Sequence, residues 1–150
     1  MSFSLRSAKE SDLEWIEEVR RAAYLDLFVA TWGGWDEEKH KRHFAAFLEA
    51  GPVSIIEASG RDIGVLQLAE SVERLEVEEI QILPGYQNQG FGGKVLEAVI
   101  EQARSSGKDV YLSLGLKNES AYRLYKRLGF EEYKARSETH IFMRADVGSR

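Results

Sequence analysis

Polar and apolar residues alternate over Ser2–Arg6, which predicts a short first strand. The period then changes. Ile16, Val19, Ala23 and Leu27 recur at helical spacing, and Ser11-x-x-Glu14 has the form of a capping box at the start of that helix. Trp32-Gly33-Gly34-Trp35 interrupts it. Asp36 supplies the cap for a second helix, with Phe44, Phe47 and Leu48 on its apolar face and Gly51-Pro52 at its end. Three strand-like runs follow, Val53–Ala58, Ile63–Ala69 and Leu75–Leu83. Ser59–Asp62 and Glu70–Arg74 join them, short enough for antiparallel neighbours. After a loop at Pro84–Gly90, the residues Phe91, Val95, Leu96, Val99, Ile100 and Ala103 form one stripe of a helix that Gly107 stops. Val110–Leu114 reads as a strand, Asn118–Leu128 as a helix closed by Gly129, and Glu131–Arg136 and Thr139–Ala145 as the last strands.

The order is therefore β-α-α-β-β-β-α-β-α-β-β, an α/β (α+β) arrangement with about seven strands and about four helices. The strand–helix–strand stretch over Leu75–Leu114 calls for a right-handed crossover and one parallel pair, formed by the fourth and fifth strands. The remaining neighbours can be antiparallel, so the sheet is mixed. The 150 residues suit one domain, 1–150, with Val147–Arg150, or the chain from Met143 onward, as a frayed tail.

Composition narrows the chemistry. The absence of cysteine removes disulfides, thiolate metal sites and thiol nucleophiles together. A net charge of -5 argues against nucleic acid as partner. No apolar run approaches the roughly 20 residues that cross a bilayer, and Met1–Arg6 lacks a signal core, so the expectation is a cytoplasmic protein without a membrane partner. His40 and His43 are three apart on a helix but have no recognisable third ligand, and no metal is expected.

The informative segment is Gln87-Asn88-Gln89-Gly90-Phe91-Gly92-Gly93-Lys94, between a strand and an amphipathic helix. A helix N-terminus presents main-chain N–H groups and partial positive charge, and glycines let an anion approach closely. The segment lacks the GK[ST] ending of one familiar phosphate loop and the three-glycine spacing of another. A glycine-rich turn without a ligand, or a binder of ATP or NAD, fits the glycines as well. Asn118 and Tyr125, seven apart on one helix, lie on nearly the same face. The sheet-facing stripe reads as Ala121, Leu124 and Leu128, which leaves the Tyr125 phenol available as a donor. Capping by Asn118 and core-edge packing of Tyr125 is the competing explanation.

Taken together, these segments resemble the GNAT superfamily of N-acetyltransferases. Gln87-Asn88-Gln89-Gly90-Phe91-Gly92 matches the pattern Q/R-x-x-G-x-G/A. Asn118, Ala121, Leu124, Tyr125, Leu128, Gly129 and Phe130 match N-x-x-A-x-x-L-Y-x-x-L-G-F. The resemblance spans Glu76–Phe130 most clearly. It implies a sheet splayed between its fourth and fifth strands and transfer of an acetyl group from acetyl-CoA to an amine of a small molecule or protein. It further implies that the loop Gln87, Asn88, Gln89, Gly90, Phe91, Gly92 and Gly93 holds the pyrophosphate. Ile82 and Leu83 would pair with the pantetheine arm, Asn118 would bond nearby, and Tyr125 would be the general acid for the departing thiolate. Family members are commonly dimers. A non-catalytic module that binds acetyl-CoA on the same fold is the alternative.

Acetyl transfer also requires an amine that has lost its proton. Glu76 and Glu78 share one strand face and Glu79 lies on the other. Glu79 and Glu76 are the candidate bases, the second because some family members carry a carboxylate at that position. Tyr24, Phe28, Trp32 and Trp35 lie where the family walls its acceptor pocket, and ordinary core packing is the competing role. Asp26, Asp36, Glu37 and Glu38 could draw in a cationic amine. His140 lies in a segment similar to the last strand of many bacterial members.

Overall fold

The computed structural model describes residues 2–146, without the side chains of Asp26, Leu27, Phe28, Ala30, Thr31 and Trp32. Its elements are β1 (Ser4–Ser7), α1 (Leu13–Trp32), α2 (Glu37–Ala50), β2 (Val53–Ala58), β3 (Arg61–Glu70), β4 (Arg74–Ile82), α3 (Phe91–Ser106), β5 (Asp109–Gly115), α4 (Glu119–Arg127), β6 (Glu131–Glu132) and β7 (His140–Ala145). One mixed sheet has the strand order β1-β2-β3-β4-β5-β7-β6. The chain divides into two compact units, Met1–Gln67 with Glu79–Gln87, and Leu68–Glu78 with Asn88–Arg150.

In the first unit, β1, β2 and β3 are antiparallel neighbours. Ser59 (φ 53°) and Gly60 (φ 75°) make the tight turn between β2 and β3, both in the left-handed region that a two-residue hairpin turn requires. Ile16 and Val19 of α1 and Phe47 of α2 bury against Ile55 and Val65 of the strands. Ala23 is exposed, and the buried face of α1 passes instead through Arg20. Ser11 does not cap that helix. Asp12 stands at the N-cap position without a side-chain capping bond; its carboxylate instead accepts the Lys9 N–H at 2.7 Å, closing the short 3-10 turn Glu10–Asp12, while it pairs with Arg6. The Asp36 cap forms as expected, accepting from the Lys39 N–H at 3.1 Å. Leu48 lies on the exposed side of α2 and His40 is buried in its place. The end of α2 is held by Gln67, 1% exposed, whose Nε2 donates to the carbonyls of Phe47 (2.6 Å) and Gly51 (2.9 Å). Gly64 allows β3 close to β4, since a Cβ there would run into the Gln81 carbonyl oxygen.

In the second unit, β4 and β5 are parallel from Arg74↔Asp109 to Val77↔Leu112. Among the described residues that ladder ends there, although both strands run on, and this is the splay. β5 continues antiparallel to β7 through Gly115↔His140. The whole apolar stripe of α3 expected from Phe91 to Ala103 is buried, and α3 packs on β5. The strand expected at Glu131–Arg136 is only two residues long; the Tyr133 N–H still reaches the Phe142 carbonyl at 3.2 Å, after which the chain turns back through the Ser137–His140 bend. Met143 is fully buried in β7, so a tail beginning there is excluded; Val147–Arg150 lies outside the described residues.

Candidate active site

The end of β4 belongs to the first unit. The Leu83 N–H donates to the Ile63 carbonyl (2.8 Å) and the Leu83 carbonyl accepts from Tyr86 (2.8 Å), so both main-chain groups of Leu83 are used internally. Strand alternation turns the groups of Ile82 the opposite way, away from β3. The Ile82 carbonyl accepts from Gln87 Nε2 at 2.8 Å, which braces the loop against the strand. Of the pair expected to meet a pantetheine arm, Ile82 is the one with a main-chain N–H on the outer side.

In the second unit, Asn88 (φ 61°) and Gly90 (φ 91°) are both left-handed, and Gly90 is the N-cap of α3. The first intrahelical bond runs from Lys94 N–H to Gly90 O at 3.0 Å. The Gly92 and Gly93 amides therefore sit in a first turn that offers them no intrahelical acceptor, at the positive end of the helix. No acidic residue occupies that turn. A Cβ built on Gly92 or Gly93 meets only Leu124 of α4, at 3.8 and 3.5 Å, so neither glycine is needed for internal packing.

Asn118 is the N-cap of α4 and accepts from the Ala121 N–H through Oδ1 at 3.2 Å, which leaves Nδ2 as its outward donor. Tyr125 is more buried than the sequence implied, at 8% exposed, while Leu124 and Leu128 are only half-buried. Its ring packs against Phe130 at 5.8 Å. No hydrogen bond to its hydroxyl forms among the described residues, and burial pushes the phenol up to about 12. The hydroxyl is therefore a donor that the fold leaves available. Asn118, Tyr125 and the glycine turn thus lie in one compact unit.

The candidate bases differ. Glu79, 7% exposed, accepts from Arg20 Nε (2.8 Å) and Nη2 (3.4 Å) and from the Tyr24 hydroxyl (2.8 Å). Glu76 is on the opposite face, 3.5 Å from Arg74 Nη1. The Glu78 carboxyl is pushed up by burial and by the neighbouring Glu76 charge. Trp35 is tied into the α1–α2 junction. Its Nε1 donates to Glu37 (2.9 Å), and Arg21 binds the same carboxylate through both nitrogens (2.7 and 2.8 Å) while lying 5.2 Å from the indole. That pairing employs Glu37, and the cap employs Asp36. Phe28, Trp32 and Asp26, named from the sequence, lie outside the described side chains.

A family model described as "Acetyltransferase (GNAT) family" matches residues 11–130. The chain belongs to the GNAT acetyltransferase family. An uncharacterized N-acetyltransferase of Methanocaldococcus jannaschii is 24% identical over 147 residues, 87% of this chain and 62% of that protein, so the chain spans less than two thirds of its length. An N-alpha-acetyltransferase of Sulfurisphaera tokodaii is 27% identical over 151 residues, covering 88% of this chain and 82% of the relative. The structure of the PaiA N-acetyltransferase of Thermoplasma acidophilum in complex with coenzyme A superposes with a TM-score of 0.72 at 16% identity, over 97% of this chain and 99% of that one. The GNAT fold expected from the two sequence patterns is therefore the fold of this chain.

Sequence reasoning missed Arg20. A signal was available, because an arginine four residues after Ile16 falls on the apolar face of α1, where a charge requires a partner.

Proposed function

We propose that residues 1–150 act as one N-acetyltransferase domain that moves an acetyl group from acetyl-CoA to an amine by direct attack in a ternary complex. The observation that carries this reading is the Tyr125 side chain, buried except at its edge and with a hydroxyl that makes no hydrogen bond among the described residues, on the same compact unit as the left-handed glycine turn and Asn118. A glycine-rich turn alone would serve any phosphate; a proton donor kept beside it suits transfer from a thioester.

The residues divide the work. Main-chain N–H groups of Gln89, Gly90, Gly92 and Gly93 receive the pyrophosphate at the helix N-terminus, where a dianion gains most. The amine nitrogen forms the new C–N bond, the C–S bond breaks, and Tyr125 gives its proton to the departing sulfur. The amine's own proton leaves to a base, for which the exposed Glu76 has a freer carboxylate than Glu79. Holding the two reactants together supplies much of the acceleration. The acceptor is a small-molecule or peptide amine.

Among the described residues no helix is long and apolar enough to cross a membrane, which accords with the cytoplasmic location we propose. A homodimer is the assembly we propose. Incubation with acetyl-CoA and a panel of amines, followed by thiol release, tests the reaction. Release that depends on the amine supports it, and coenzyme A binding without release would make the chain a binding module instead.

A further inference from the structure

His40 and His43 stand three apart on α2, and the fold treats them differently. His43 is exposed, whereas His40 is 1% exposed. The His40 ring lies against Trp35, with 4.9 Å between centroids and the planes tilted by 40°. Trp35 is held in turn by a clasp of charges. Its Nε1 donates to Glu37, and Arg21 of α1 binds that carboxylate while also reaching Glu17 at 3.1 Å. The two glycines between the helices bring no packing of their own. Gly33 is left-handed (φ 77°), and a Cβ at Gly33 or Gly34 would meet nothing within 4 Å. Among the described side chains, the joint closes on the clasp and on the ring buried beside it.

The charged groups that face His40 are Glu17, Arg20 and Arg21 on α1 and Glu37 on α2, with His43 one turn further along. Burial first, then Arg21, keep the ring neutral; Glu17 and Glu37 act in the opposite sense, and Arg20 adds to Arg21. Glu37 itself is held down at about 2 by Arg21 and the Trp35 N–H, so the clasp keeps that charge at any pH near neutrality. An imidazolium formed at His40 would be a buried charge within reach of two guanidiniums, and moving it into water relieves that cost. A group that takes its proton more readily when exposed favours exposure as pH falls.

We propose that the α1–α2 junction is an acid-sensitive latch: neutral His40, seated against Trp35, holds the joint shut, and protonated His40 leaves its seat and frees the Gly33-Gly34 segment to swing. The latch lies wholly within the first compact unit and is independent of the acetyl-transfer reading.

Hydrogen exchange of the full chain at pH 7.5 and pH 5.5, corrected for the intrinsic pH dependence of exchange, tests this. The reporters are the amides that close the joint, Gly33 bonded to the Val29 carbonyl and His40 bonded to the Asp36 carbonyl. In the open form the imidazole takes up a proton near its ordinary 6.5, so these amides should open about tenfold more often at pH 5.5. Those of α3, which carries no histidine, should stay constant. His40→Phe keeps a buried ring without the titration, and His40→Gln keeps a neutral polar side chain; each should abolish the rise, and His43→Gln should retain it. Equal corrected exchange at the two pH values in the wild type would overturn the proposal, whatever the variants do. So would a rise that survives in both His40 variants, or one that disappears in His43→Gln.

Discussion

Replacing Tyr125 by phenylalanine deletes one oxygen and leaves the ring against Phe130. The hydroxyl makes no hydrogen bond among the described residues, so its removal strands no partner and should change stability by less than about 0.5 kcal/mol near neutral pH. The kinetic effect should be much larger. A phenol at about 12 is fully protonated throughout any practical assay, so the acid is always armed. It is also a weaker acid than an ordinary thiol at about 8.5, so its proton moves late, as the C–S bond breaks. That places the loss toward the lower end of general-acid effects, about 100-fold in kcat, with the acetyl-CoA affinity nearly unchanged. The same burial has a stability signature. The native-state phenol titrates above the unfolded one, so no stability is lost below about pH 10. Between about 10 and 12 the unfolded chain releases the proton while the native chain does not. The wild type should therefore lose about 2 to 3 kcal/mol relative to Tyr125→Phe across that window. Single-turnover kinetics and paired denaturation curves at pH 8 and pH 11.5 measure both. Equal turnover of the two proteins would refute Tyr125 as the acid, and parallel alkaline curves would refute the burial argument.

Three further outcomes follow from the structure. Gly93→Ala meets only ordinary contact with Leu124 and removes a glycine from the helix, so the thermal midpoint should hold or rise while coenzyme A affinity falls tenfold or more; a lower midpoint with intact affinity would make the glycine a packing residue. Gln67→Leu leaves the carbonyls of Phe47 and Gly51 without their donor and should cost about 2 kcal/mol in urea denaturation with no effect on coenzyme A binding. The Arg6 guanidinium holds the Asp12 carboxyl down at about 2, so its contribution is present above the ordinary carboxylate range and fades as pH falls toward 2. Asp12→Asn should accordingly melt earlier than wild type at pH 6 and together with it at pH 2.

Much of this was legible beforehand, for identifiable reasons. α3 was read nearly to the residue because its stripe is strictly periodic and both ends carry left-handed glycines, at Gly90 and Gly107. The face assignment of Glu79 followed from alternation alone. The errors arose where tertiary partners override local pattern. Ser11 makes no cap because a 3-10 turn, Glu10–Asp12, precedes the helix and is closed by the Asp12 carboxylate that Arg6 anchors. Leu124 and Leu128 look apolar enough to claim the sheet, yet Tyr125 fills the gap beside Phe130. The engagement of Glu79 was invisible because Arg20 lies 59 residues away in sequence. The splay came from the resemblance, since no local signal marks where a parallel ladder stops.

The central claim concerns the turn after Tyr86. Calorimetric titration of coenzyme A, with dephosphorylated pantetheine, ATP and NAD as comparisons, examines it directly. The account calls for saturable one-to-one binding of coenzyme A, weakened by added pyrophosphate and by Gly93→Ala, and for much weaker heats with ATP and NAD. No saturable heat at millimolar coenzyme A would contradict it.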